Sequence, residues 1–180
     1  MRRDIAEKLE IPAGIEVEVS KEDIKIKKGG KEIKRVYEGF EIKKEGSELV
    51  ISKIKSTKKE KKQIKTLKAH IINAFNGLTK KHEYRLQVCA LHFPMNVSLD
   101  KAKNEVIIKN FLGEVKPRIA KIIPGVEVKI EKDIITVSGE NRETAGQSAA
   151  NIEKATRITN RDRRTFQDGI FLIEKPEGKI

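Results

Sequence analysis

The amino-acid sequence predicts an α+β fold of two tandem homologous domains, residues 1–84 and 85–180, each an antiparallel β-sheet covered by one α-helix. Three observations carry this expectation. Apolar residues alternate at period two through the first part of the chain. They then recur at spacings of three and four. Finally, the string Ile11-Pro-Ala-Gly-Ile-Glu-Val-Glu-Val19 is echoed at Ile123-Pro-Gly-Val-Glu-Val-Lys-Ile130. Period-two alternation gives a sheet one apolar face and one charged face, and an amphipathic helix is a suitable cover for the apolar face.

Taken in order, the candidate strands hold Ile15, Val17 and Val19, then Ile24 and Ile26, Ile33 with Val36, Phe40 with Ile42, and Leu49 with Ile51. The breaks at Lys28-Gly29-Gly30, Glu38-Gly39 and Glu45-Gly46-Ser47 make these an antiparallel meander. Between Lys58 and His82 the stripe Ile64, Leu67, Ile71, Phe75 and Leu78 predicts a helix. Its lysines crowd the first turns, where the helix dipole disfavours cations. In the second half, strands are expected at Leu86 to Ala90, Val106 to Ile108 and Ile119 to Ile123. The echo follows, then Ile134 to Val137. Asn141 is a good N-cap for a helix reaching Ala155. That helix's inner face of Ala145, Ser148, Ala149, Ile152 and Ala155 is small enough to demand close packing. The echo implies that Ile15–Val19 with Ile24–Ile26 superposes on Val126–Ile130 with Ile134–Val137, a duplication with its boundary near Tyr84. A turn at Gln167-Asp168-Gly169 leads into a last strand, Ile170 to Ile173.

Charge is concentrated. The net charge is +12, with a pI of about 9.7, which points to a polyanionic partner. Residues 1–52 are neutral, whereas Lys53 to Lys68 holds eight lysines against Glu60, and Lys154 to Arg164 holds five basic residues against Asp162. Two candidate phosphate-binding sets follow. One is Lys58, Lys59, Lys61, Lys62 and Lys65, a delocalised collar. The other is Lys154, Arg157, Arg161, Arg163 and Arg164, a guanidinium cluster set between a helix and a strand, with Phe166 and Ile170 to Ile173 as buried anchors. Arginine forks match phosphate oxygens bidentately, as lysine does not.

Other chemistries find no support in the sequence. Cys89 is the sole cysteine, and His70, His82 and His92 are scattered without ligand spacing, so neither a disulfide nor a metal site is expected. The glycines form no phosphate loop or dinucleotide fingerprint, and no nucleophile elbow is present. No enzyme, cofactor or small-molecule substrate is expected. With no signal-peptide core and no apolar run of membrane-spanning length, a soluble intracellular protein is expected, with no membrane partner. Aromatic residues make up 4% of the chain, which disfavours a reader that stacks bases and favours shape and phosphate recognition of folded, double-helical RNA. Charge alone leaves a stand-alone nucleic-acid-binding or chromatin protein as the alternative.

Several separated strings resemble one family. These are His92-Phe93-Pro94-Met95-Asn96-Val97, Lys109-Asn110-Phe111-Leu112-Gly113-Glu114, the stretch from Gln147 through Ala149-Ala150, and Arg164-x-Phe166-x-Asp168-Gly169-Ile170-Phe171. Over nearly the whole chain the sequence is similar to the large-subunit ribosomal protein L-six family in its archaeal and eukaryotic branch, whose eukaryotic member is called L-nine. One departure is Gly29-Gly30, where the family often has Gly-Pro. The resemblance implies a cytoplasmic, ribosome-bound structural protein of two sheet-and-helix domains. It would contact large-subunit rRNA beside the sarcin–ricin loop, near the stalk base where translation factors dock, with neighbouring large-subunit proteins as further partners. That role would fall on Lys154, Arg157, Arg161, Arg163 and Arg164, with Phe166 and Asp168 shaping the segment. The strings His92–Val97 and Asn110–Glu114 are open between RNA contact and fold maintenance.

Overall fold

A computed structural model describes residues 3–20, 22–162 and 164–179. The fold is α+β, and the chain forms two compact units, Met1–Lys80 and Lys81–Ile180. The division falls before the β-strand that begins at His82, so the expected boundary at Tyr84 lies inside a strand of the second unit.

In the first unit the strands are β1 (Arg3–Glu10), β2 (Glu16–Val19), β3 (Asp23–Lys28), β4 (Lys31–Val36), β5 (Glu41–Glu45) and β6 (Glu48–Ser56), followed by α1 (Lys58–Thr79). They form two antiparallel sheets, β2-β3-β4 and β1-β6-β5, rather than one meander. The strand β1, which no alternation signalled, takes the free side of β6, whose other side pairs with β5. After Val36, which is exposed, Tyr37 turns inward, donating its amide to the Glu22 carbonyl at 2.9 Å and its hydroxyl to the Ser20 carbonyl. The chain thus leaves one sheet for the other. Between the sheets and α1 lie Ile24, Ile26, Leu49, Ile51, Ile64 and Ile71, all buried. The β3–β4 hairpin turns on Gly29 and Gly30, at φ +56° and +82°. Both are left-handed, and a proline, fixed near −65°, is excluded at Gly30. The departure from Gly-Pro therefore changes the turn type.

The second unit holds β7 (His82–Cys89), β8 (Asn96–Asp100), β9 (Glu105–Lys109), a 3-10 turn at Phe111–Gly113, β10 (Arg118–Lys121), β11 (Val126–Glu131), β12 (Ile134–Gly139), α2 (Arg142–Ala155), β13 (Gly169–Lys175) and β14 (Gly178–Lys179). Its sheets are β10-β9-β8 and β11-β12-β7-β13-β14. Leu86, Ile108, Phe111, Ile135, Ile152 and Ile170 are fully enclosed in its core. As expected, α2 begins after Asn141, whose side chain accepts the Glu143 amide at 3.1 Å. It also lies close to its sheet. A Cβ on Gly146 would stand 3.0 Å from the Tyr84 hydroxyl oxygen, so only glycine allows that approach without a shift.

The two units repeat one plan, but not in the register the echo implied. In chain order β1 to β6 correspond to β7 to β12, because β5-β6-β1 matches β11-β12-β7 and β4-β3-β2 matches β10-β9-β8. The counterpart of the β11–β12 hairpin is therefore β5–β6, and β2–β3 corresponds to β8–β9. Side chains agree. Ile42 faces Ile51 as Val128 faces Val137, and Gly46 and Lys132 take the same left-handed turn position, at φ +60° and +51°. The repeated Ile-Pro string marks similar turns at non-equivalent places.

Candidate nucleic-acid interface

The arginine segment joins the end of α2 to β13. It is fixed where it begins. Thr156 is buried, and its hydroxyl donates to the Glu153 carbonyl at 3.2 Å while accepting the Ile170 amide at 2.9 Å. The same side chain thus ties the end of the helix to the start of the strand. Midway, Asp162 organises a turn: its side chain accepts the Arg164 amide at 2.9 Å and its carbonyl accepts the Phe166 amide at 2.9 Å. Short polar side chains bonded to backbone two residues on are what such turns require. Lys154, Arg157, Arg161 and Arg164 are all exposed, and none pairs with a carboxylate among the described residues. Arg163 lies outside the described residues. The Arg161 guanidinium sits 4.9 Å from the centre of the Phe166 ring. Phe166 is half-buried rather than buried, even with this arginine over its ring; Ile170 is buried, but Phe171, Leu172 and Ile173 are only partly so.

At the far end stands Asp168, which is not a hairpin turn residue but a buried carboxylate, 2% exposed. Its Oδ1 accepts the amides of Leu91 and His92 at 2.7 and 2.9 Å, and its Oδ2 lies 2.5 Å from His92 Nδ1. Burial pushes the carboxyl pKa up, but the His92 amide, the His92 ring and the Leu91 amide outweigh it and hold the group below its ordinary value of 3.8. An ionised carboxylate only accepts, so the His92 proton on this side sits on Nδ1. Sequence reasoning left His92 among scattered histidines. Its pairing joins two of the family strings, His92–Val97 and the segment through Asp168. Gly169 lets the Phe171 ring lie close, since a Cβ there would stand 3.0 Å from the ring and push it aside.

Arg118 was likewise missed. It grips Glu114 with Nε and one terminal nitrogen at 2.8 and 2.6 Å, and donates from the other to the carbonyls of Ala155 and Arg157 at 2.9 and 3.1 Å. Its guanidinium also lies 4.2 Å from the centre of the buried Phe111 ring. A cation at a helix C-terminus completes unpaired carbonyls and complements the dipole. Here it also fixes the backbone of Arg157. The string Asn110–Glu114 supports Arg118 through Phe111 and Glu114, and Asn110 donates to the Pro94 carbonyl at 2.9 Å. Both open strings thus hold the loops around the arginine segment.

In the first unit, Lys58, Lys59, Lys61, Lys62 and Lys65 are exposed on α1, outside the buried stripe of Ile64, Leu67 and Ile71. Lys58, Lys61, Lys62 and Lys65 form a continuous ladder at spacings of three and four. The unfavourable dipole is met locally by Glu60, which accepts the Thr57 amide at 2.5 Å and pairs with Lys53 at 2.6 Å. Lys53 and then the Thr57 amide hold the Glu60 carboxyl down at about 2, from an ordinary 4.5. A depressed folded-state pKa gives stability that is complete above 4.5 and lost as pH falls toward 2. Protection of the Thr57 amide, measured relative to the intrinsic exchange rate at each pH, is therefore expected to fall over that window. In Glu60→Gln the exchange is expected to be faster at neutral pH and to lack this step.

The family described as Ribosomal protein L6 matches residues 93–169, from the loop that carries His92 to the start of β13. The chain is 43% identical to the large ribosomal subunit protein uL6 of Methanococcus vannielii, an alignment covering 98% of this chain and 96% of that one. It is 41% identical to the protein of the same name from Methanothrix thermoacetophila, over 97% of this chain and 99% of that one. The protein of that name from Methanobrevibacter smithii is 40% identical over 95% of this chain and 96% of its own length. Similarity at that level, end to end and through the strings that build the arginine segment, means that the chain belongs to the ribosomal protein L6 family.

Proposed function

We propose that this protein is a structural constituent of the large ribosomal subunit, not an enzyme, and that it binds large-subunit rRNA through the arginine segment, with the lysine ladder of α1 adding delocalised attraction. The observation that carries this is the segment itself. Arg157, Arg161 and Arg164 are exposed and unpaired with carboxylates among the described residues, on a backbone fixed at one end by Thr156 and Arg118 and at the other by Asp168. A backbone already held in place presents its arginines to phosphate without first ordering a loop. The family resemblance supports a location beside the sarcin–ricin loop near the stalk base, in contact with neighbouring large-subunit proteins and in the cytoplasm. The test is sedimentation with large subunits depleted of their own L6 protein, through a high-salt gradient. The chain is expected to travel with the subunit. A chain that stays behind, yet binds duplex DNA and a folded rRNA fragment equally at that salt, is a general nucleic-acid binder instead.

Two further expectations separate the patches. Each Lys→Ala change at Lys58, Lys59, Lys61, Lys62 or Lys65 is expected to weaken RNA binding slightly and to reduce the salt slope by at most about 1. A single lysine whose loss abolished binding would contradict a delocalised collar. Arg164→Ala is expected to cost about 1–3 kcal/mol of RNA affinity with an unchanged melting temperature, because the side chain is exposed. Arg164→Lys is expected to recover part of that loss, and full recovery would reduce the segment to generic charge.

A further inference from the structure

Beyond phosphate contact, the fold assembles something that the low aromatic content argued against. His92 and Phe166, far apart in sequence, stand with ring centres 5.1 Å apart and planes tilted by 31°. The Arg161 guanidinium lies over the same Phe166 ring. Two planar groups, His92 and Arg161, thus contact the half-buried Phe166 ring, and the three form a partly exposed stacking cluster. Its orientation is set from beneath, since the buried Asp168 binds both the His92 amide and its ring nitrogen. Phe93 and Leu91, on the same loop as His92, are 48% and 68% exposed. Phe166, alone among the three, also forms one wall of a groove whose lining includes Lys154, Arg157 and Gln167 together with the Glu153 carboxylate, which accepts the Leu172 amide at 3.4 Å.

Resting on the RNA-binding role proposed above, we infer that this stack and groove take one unpaired RNA nucleotide, its base against the His92–Phe166–Arg161 planes and its phosphate on Lys154 and Arg157. The chemistry is complementary at both ends. Every nucleobase has a face that stacks on an aromatic or guanidinium plane, whereas a base inside a continuous duplex has none free. The adjacent cations match a phosphate and not an acidic-poor apolar peptide. A purely structural stack would account for the ring contact, but not for exposed cations sharing its groove.

The test compares the full chain binding a blunt RNA duplex and the same duplex carrying one bulged adenine, at one salt concentration. The bulged duplex is expected to bind at least about fivefold more tightly, the scale of one stacked base. Phe166→Leu, which keeps apolar bulk but frees Arg161, is expected to bring the ratio of bulged to blunt affinity close to one, whatever it does to blunt-duplex binding itself; Phe166→Tyr is expected to keep the ratio. A bulged 2-aminopurine is expected to lose fluorescence on saturation with the unaltered chain, a measurement that does not depend on any variant folding. Equal affinity for the two duplexes, an unquenched bulge, or preference retained in a folded Phe166→Leu protein would overturn the nucleotide site and leave phosphate binding standing. Failure to bind either RNA would remove both the site and the RNA-binding role.

Discussion

Asp168→Ala is expected to destabilise the second unit by about 2–4 kcal/mol, the scale for removing the charged acceptor of several hydrogen bonds from a largely buried position. Three donors lose their acceptor at once: the Leu91 amide, the His92 amide and His92 Nδ1. Two of them are backbone groups that cannot turn elsewhere without moving the loop. Asp168→Asn keeps the volume and one carbonyl acceptor, so it is expected to lose less, about half, by the same accounting. The sign of the pH effect separates charge from shape. The folded carboxyl titrates below its ordinary 3.8, so its contribution is whole above that pH and disappears as pH falls below it. The difference between the unaltered chain and Asp168→Asn is therefore expected to close as the solution is acidified through that range. Urea melts of both proteins between neutral pH and pH about 3 check this. A constant gap across the range would mean that the carboxylate charge is not what holds the loop.

How far the sequence disclosed this site follows from the range of the forces involved. Helix stripes are local, so α1 and α2 were legible from Ile64, Leu67 and Ile71 and from Asn141 onward. The hairpins were legible too, because Gly29-Gly30 and Gly46 announce their turns within a few residues. What pairs with β6 was not, since β1 lies far away in sequence and its apolar positions, Ile5 and Leu9, do not alternate cleanly. The echo at Ile123 misled because a proline-glycine turn before a strand is a common local solution. The true repeat, Glu41 to Ser52 against Glu127 to Ser138, has few identities but the same pairing and the same left-handed turn. Within the site, charge density exposed the cations, as long-range fields need no precise partner. The groups that aim them, His92 with Asp168 and Arg118 with Glu114, depend on tertiary contact and showed only as family strings of undecided role.

Arg118 provides the second large effect. It makes two bonds to Glu114 and two to main-chain carbonyls, and its guanidinium covers Phe111. Arg118→Ala releases the last turn of α2 and the backbone of Arg157 without altering the identity of any candidate RNA-contacting residue. The expected loss of stability is about 2–3 kcal/mol, combining a partly exposed bidentate pair, two carbonyl contacts and a cation–π contact. RNA affinity is expected to fall as well, although Arg118 itself need not touch RNA, because Arg157 must then be ordered on binding. Arg118→Lys supplies the charge but has no planar fork to serve Glu114 and two carbonyls together, so it is expected to restore little of either. Glu114→Gln distinguishes the two functions of the residue. It weakens the grip on the guanidinium but leaves the carbonyls of Ala155 and Arg157 capped, so stability is expected to fall by about 1 kcal/mol with RNA affinity nearly unchanged. Thermal melts paired with RNA titrations of the three variants decide the matter. If Arg118→Ala lowered the melting temperature yet bound RNA as tightly as the unaltered chain, the arginine segment would not depend on being held in place.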